Sequence, residues 1–80
     1  MSAELMPKQK GTVISFDQAR GYGFLRADRG GDVFIGRRDL LRYGIQNLAV
    51  GQRLLFDAAR DGLGRRPRAV NVRVIAEATA

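Results

Sequence analysis

The amino-acid sequence predicts an all-β fold, a small barrel of five antiparallel strands. Three observations lead there. Five segments rich in β-branched, aromatic and alternating apolar residues are separated by glycine and charge. Only residues 37–41 carry a helical pattern, and that pattern is about one turn long. The chain has 80 residues, room for one domain whose strands must each bury one face efficiently.

Taken in order, residues 1–9 read as a flexible lead-in in which Pro7 opposes helix. The first strand is residues 11–16 (GTVISF), closed by a turn at 17–21 (DQARG). The second is residues 22–26 (YGFLR). It reaches the third, residues 32–35 (DVFI), through Arg29-Gly30-Gly31, where paired glycines suit a hairpin that needs positive φ. Residues 37–41 form a short helical turn with Leu40 and Leu41 as its apolar side, and residues 44–51 form an irregular connection with Leu48 tucked inward. The fourth strand is residues 53–58 (RLLFDA). Residues 61–67 (DGLGRRP) are a flexible basic loop, and residues 68–74 (RAVNVRV) are a fifth strand with near-perfect alternation. Residues 76–80 trail off, so the barrel domain spans residues 10–75. Three strands before a long connection and two after it suit the OB-type barrel, whose closure limits exposed strand edges.

Composition narrows the chemistry. There is no cysteine and no histidine, which removes disulfides, thiolate metal sites, the commonest metal ligand and the usual general base. Asp28, Asp32, Asp39, Asp57 and Asp61 are interleaved with arginines and match no calcium-loop spacing, so they read as solvated turn charges with local ion pairs. Gly21-Tyr22-Gly23 is followed by no helical pattern and so lacks the geometry of a phosphate loop. No catalytic residue, metal site, cofactor or small-molecule substrate is expected, and the protein is read as a non-enzyme. The formal charge is +6, and twelve of the fourteen basic residues are arginine, whose planar fork grips phosphate and stacks on bases. No apolar run approaches the ~20 residues of a spanning helix, and the N-terminus carries no signal-peptide stretch. A cytoplasmic location, no membrane partner and a monomeric state are the expectations.

Alternation assigns the faces. Val13, Leu25, Val33, Ile35, Leu54, Phe56, Val70, Val72 and Val74 should point inward. Tyr22, Phe24 and Arg26 then share the outer face of the second strand, and Asp32 and Phe34 that of the third. Three grouped exposed rings call for a partner, and the flat face of a nucleic-acid base is one. Arg20 and Arg26 flank them. The competing assignment reverses the faces and puts the rings in the core. A competing use is a protein-docking patch on the same barrel.

Residues 20–25 (RGYGFL) resemble the first ribonucleoprotein motif of cold-shock domains, and residues 32–35 resemble the start of the second. Residues 11–17 are similar to the family's opening strand, Val50-Gly51-Gln52 to its entry into strand four, and Pro67 with residues 69–72 (AVNV) to its last strand. The likeness spans residues 10 to 75. It implies a five-stranded OB-type barrel that binds single-stranded RNA and DNA, acting as an RNA chaperone or as a regulator of transcription termination and translation. By position it implies stacking by Phe16, Tyr22, Phe24 and Phe34 and phosphate or base contact by Arg20. It also implies that Asp32 lies near a bound base and Arg68 near a polar contact at the start of strand five. The chain departs from the pattern at Ser15, where relatives carry tryptophan, at Gly36 and Arg37, where they carry histidine and phenylalanine, and at Ile45, where an aromatic is common. Arg37, Arg38, Arg42, Arg65 and Arg66 enrich the same region in positive charge. That exchange predicts a shift from stacking toward phosphate contact, with Arg37 among the contact residues. The alternative is a divergent interaction module that no longer binds nucleic acid.

Overall fold

The computed structural model describes residues 4–60 and 66–77. Five strands and one short helix follow in the order β1 (Glu4–Asp17), β2 (Tyr22–Ala27), β3 (Asp32–Gly36), α1 (Arg37–Arg42), β4 (Arg53–Arg60) and β5 (Arg68–Ala76). The strands close into a barrel in the order β1-β2-β3-β5-β4. The OB-type fold expected from the sequence is therefore the observed one. All pairings are antiparallel except the closure of β3 on β5, which is parallel and rests on the pair Phe34↔Arg68.

The largest difference from expectation is β1. Residues 4–10, read as part of a flexible lead-in, continue the strand and pair with β4 from Glu4↔Arg60 to Thr12↔Arg53. Pro7 does not end the strand because the register shifts between Met6 and Gln9, and Lys8 takes a positive φ of 56°. A bulge is where a strand tolerates proline, since the missing donor falls at a break in the ladder. Aspartate 57 on β4 secures that break: the Lys8 N–H donates to its Oδ1 at 2.9 Å. Beyond the overlap at Gly11 and Thr12, β1 leaves β4 and pairs with β2.

The core is apolar and matches the inward assignment at Val13, Leu25, Val33, Ile35, Leu54, Phe56 and Val72, all buried. Leu40 of α1 and Leu48 of the connection cap it. Leu41, grouped with Leu40 as apolar side, is instead exposed. Val70 also departs from expectation. It is half-buried, while Ala69 beside it is fully buried. Asn71 adopts φ 53° and the β4–β5 register shifts between Leu55 and Asp57, so strand five changes phase at Asn71 and Ala69 takes the inward place. Val74 packs partly against the core.

The tight connection between β2 and β3 has Gly30 and Gly31 at φ 102° and 89°, as the paired glycines required. Gly23 is needed for a different reason. A Cβ there would collide with the Ser15 carbonyl oxygen and press on the Phe16 ring, because β1 crosses β2 at contact distance. Away from the rings, Arg53 grips Asp28 with both terminal guanidinium nitrogens at 2.6 Å and also donates to Thr12 Oγ1 at 2.9 Å. The hydrogen bonds from Arg53 hold the Asp28 carboxyl below its ordinary range.

Candidate nucleic-acid interface

Strands β2 and β3 run in register with Phe24 opposite Phe34, Arg26 opposite Asp32 and Tyr22 opposite Gly36. The pleat sends Leu25, Val33 and Ile35 inward, where each is at most 3% exposed. Their neighbours Tyr22, Phe24 and Phe34 emerge half-buried on the outside. The reversed-face arrangement is thereby ruled out: the three aliphatics form core and the three rings do not.

The rings form one cluster with Phe34 at its centre. Tyr22 and Phe34 are stacked, with centroids 5.8 Å apart and planes inclined by 29°. Phe24 meets Phe34 edge-on at 5.9 Å and 74°. Both spacings fall in the range where aromatic pairs hold one another beyond simple burial. The platform is therefore pre-organised, and Phe34 is the ring whose loss would release both others. Ser15 lies opposite Phe24 in the β1–β2 register, exposed beside the platform.

The remaining expected site residues are placed as follows. Asp32 lies at the β3 entrance and accepts from Arg26 Nε at 3.2 Å, so it presents a neutralised pair and not a bare carboxylate. Arg37 begins α1. Its N–H donates to the Gly21 carbonyl at 2.7 Å, and its guanidinium donates to the Gln18 carbonyl while packing over Gly21. It tethers the β1–β2 turn at the margin of the rings. Arg20 stands in that turn, largely exposed, 3.7 Å from Asp17. Arg68 pairs through its backbone with Phe34 but sends its side chain to Asp39 at 3.5 Å. Arg38 and Arg42 project exposed from α1. Arg65 and Asp61 lie outside the described residues.

Phe16 stands apart from the three rings. It is half-buried and packs against the core, over Gly23. The register shift between Val13 and Ser15 is the cause, since one extra residue in β1 changes which face Phe16 occupies. Arg66, expected only as part of a basic loop, meets the rings. Its guanidinium carbon lies 4.9 Å from the centroid of the Phe24 ring, a cation–π contact. No local sequence signal marks this contact, because it joins residues remote in the chain.

A barrel of this topology, carrying clustered rings on β2–β3 among arginines, defines the class of OB-type domains. The chain belongs to the cold-shock domain family: the 'Cold-shock' DNA-binding domain matches residues 9–75. It is 36% identical over 66 residues to a cold shock-like protein of Thermotoga maritima, covering 82% of this chain and 97% of that one. It is 36% identical over 64 residues to cold shock protein CspA of Rhizobium meliloti, covering 79% and 93%. A cold shock domain-containing protein 4 of Arabidopsis thaliana is also 36% identical over 66 residues, 81% of this chain but 32% of that larger protein.

Proposed function

We propose that this domain binds single-stranded nucleic acid, RNA in preference to DNA, across the β2–β3 face, without catalysing a reaction. The observation that carries the reading is the pre-organised cluster of Tyr22, Phe24 and Phe34 outside the core, bordered by arginines. Bases stack on the rings, and phosphates meet the guanidinium groups around them. The preference for RNA is supported by hydroxyls beside the rings that suit a ribose 2′-hydroxyl, those of Tyr22 and Ser15. The +6 charge gives long-range attraction to any strand. Acting as a monomer in the cytoplasm, such a domain keeps weakly paired RNA single-stranded, the role of an RNA chaperone or of a regulator of transcription and translation.

The test is direct titration with fluorescently labelled oligonucleotides of one sequence as single-stranded RNA, single-stranded DNA and duplex. RNA should bind most tightly and the duplex least, because paired bases cannot reach the rings. Equal affinity for all three would reduce the interaction to charge alone. No binding would leave the face to protein docking.

A further inference from the structure

We propose that Arg66 is a displaceable cap on the Phe24 stacking surface, which an incoming base replaces and which then serves as a phosphate contact. The inference rests on the stacking function proposed above. Two features hold the cap in place. The Pro67 carbonyl accepts from the Phe34 N–H at 2.8 Å, so the residue next to Arg66 is fastened to the centre of the platform. Proline at 67 also restricts residue 66 to extended backbone, which limits where its side chain can reach. From that anchor the guanidinium rests 4.9 Å from the Phe24 centroid. The neighbouring cation at the start of β5, Arg68, is already engaged with Asp39, so Arg66 is the one that meets the rings.

Magnitudes decide the direction of exchange. An exposed cation–π contact is worth roughly two- to five-fold in an equilibrium constant. Stacking of a base on an aromatic side chain is worth roughly five- to over a hundred-fold. A base therefore displaces the guanidinium, at a small cost. Once displaced, Arg66 stays within reach of the backbone of the nucleotide that replaced it. Each phosphate neutralised on a single strand steepens the log–log salt dependence by about 0.7.

The experiment compares the parent domain with Arg66→Ala, titrating single-stranded oligo(dT) from about 50 mM to about 500 mM salt. The removal of one phosphate contact should flatten the slope by about 0.7, so the affinity ratio of parent to variant changes about five-fold across that range. At the low end the variant binds more weakly. At the high end, where the phosphate contact is screened, it equals the parent or binds up to about five-fold more tightly because no cap must be moved. A variant weaker by one constant factor at every salt would overturn the proposal, since Arg66 would then hold the base and not vacate its place. Identical binding at every salt would overturn it too.

A second measurement separates this from the function itself. In the free domain the Arg66 δ-protons should show an upfield ring-current shift in NMR that Phe24→Leu abolishes. Saturating oligo(dT) should abolish it as well. A domain that binds no strand yet shows the shift would refute the function and the displacement with it, leaving only the resting contact of Arg66 on Phe24. A domain that binds while the shift persists would refute the displacement.

Discussion

At the scale of single residues, the two faces of β2 and β3 make opposite demands on their side chains. Leu25 and Ile35 are fully buried, and truncation there removes apolar contacts that nothing replaces. Leu25→Ala should cost about 2–5 kcal/mol of stability while leaving affinity nearly unchanged in the folded fraction. Phe24→Ala and Phe34→Ala should weaken oligonucleotide binding by roughly 1–3 kcal/mol while the barrel remains folded. Phe34→Ala should have the larger effect, because its ring alone touches both others. Urea denaturation beside a binding titration reads both quantities. If Phe24→Ala left affinity unchanged, stacking at this face would have to be abandoned.

At the scale of elements, Asp57 links two irregular strands. It accepts from the Lys8 N–H in the β1 bulge and from Asn71 Nδ2 in the β5 bulge at 2.7 Å, and Tyr43 donates its hydroxyl to the other side of the same amide. Lys8 and Asn71 are also the two non-glycine residues with positive φ among the described residues. The backbone hydrogen bond from Lys8, and then the side-chain hydrogen bond from Asn71, keep the Asp57 carboxyl below its ordinary range. A depressed carboxylate contributes stability that is complete above the unfolded value of about 3.9 and is lost as pH falls through the lower folded value. Asp57→Ala should therefore cost ~1 kcal/mol at neutral pH, given the solvent around the site. Denaturation curves of parent and variant should converge as pH falls below the ordinary carboxylate range and through the lower folded value. Persistent separation there would place the loss in packing and not in the carboxylate. These bulges also mark what sequence could and could not convey. Strand existence, the inward sets of β2, β3 and β4 and the glycine hairpin were legible, because period-2 alternation and turn residues are local signals. The phase changes at Val13–Ser15 and Asn71 were not, because a bulge is set by a partner strand distant in sequence. The phase change at Asn71 leaves Val70 half-buried, that at Val13–Ser15 packs Phe16 against the core, and the bulge between Met6 and Gln9 lets β1 run past Pro7 to Glu4.

At the scale of the whole molecule, charge is unevenly spent. Asp28, Asp32 and Asp39 each neutralise an arginine, which accounts for Arg53, Arg26 and Arg68. The remaining positive charge includes Arg66 on the Phe24 ring, Arg37 at the β1–β2 turn and the exposed Arg38 on α1. With about three or four phosphates neutralised, the logarithm of affinity should fall against the logarithm of salt with a slope of roughly −2 to −3. A slope near zero would mean that these arginines touch no phosphate. The family was visible in the sequence through its paired motifs. The division of arginines between internal partners and solvent was not, since it depends on which carboxylate each long side chain meets after folding.

The barrel closes at its narrowest pairing directly beneath the rings. Phe34 carries the central ring, and its backbone also makes the junction of β3 with β5, through the Arg68 pairing and the hydrogen bond to Pro67. A seam of one parallel pair, joining residues far apart in sequence, is where the structure should open first in brief local excursions. In the free domain the Phe34 amide proton should thus exchange with solvent deuterium sooner than that of Leu25, which sits in a strand paired on both sides. On the proposed function, a strand of nucleic acid laid from Phe24 toward residues 66–68 crosses that seam and favours the closed form. Saturation should slow exchange at Phe34 more than at Leu25, so that the ligand works as the missing rung of the sheet.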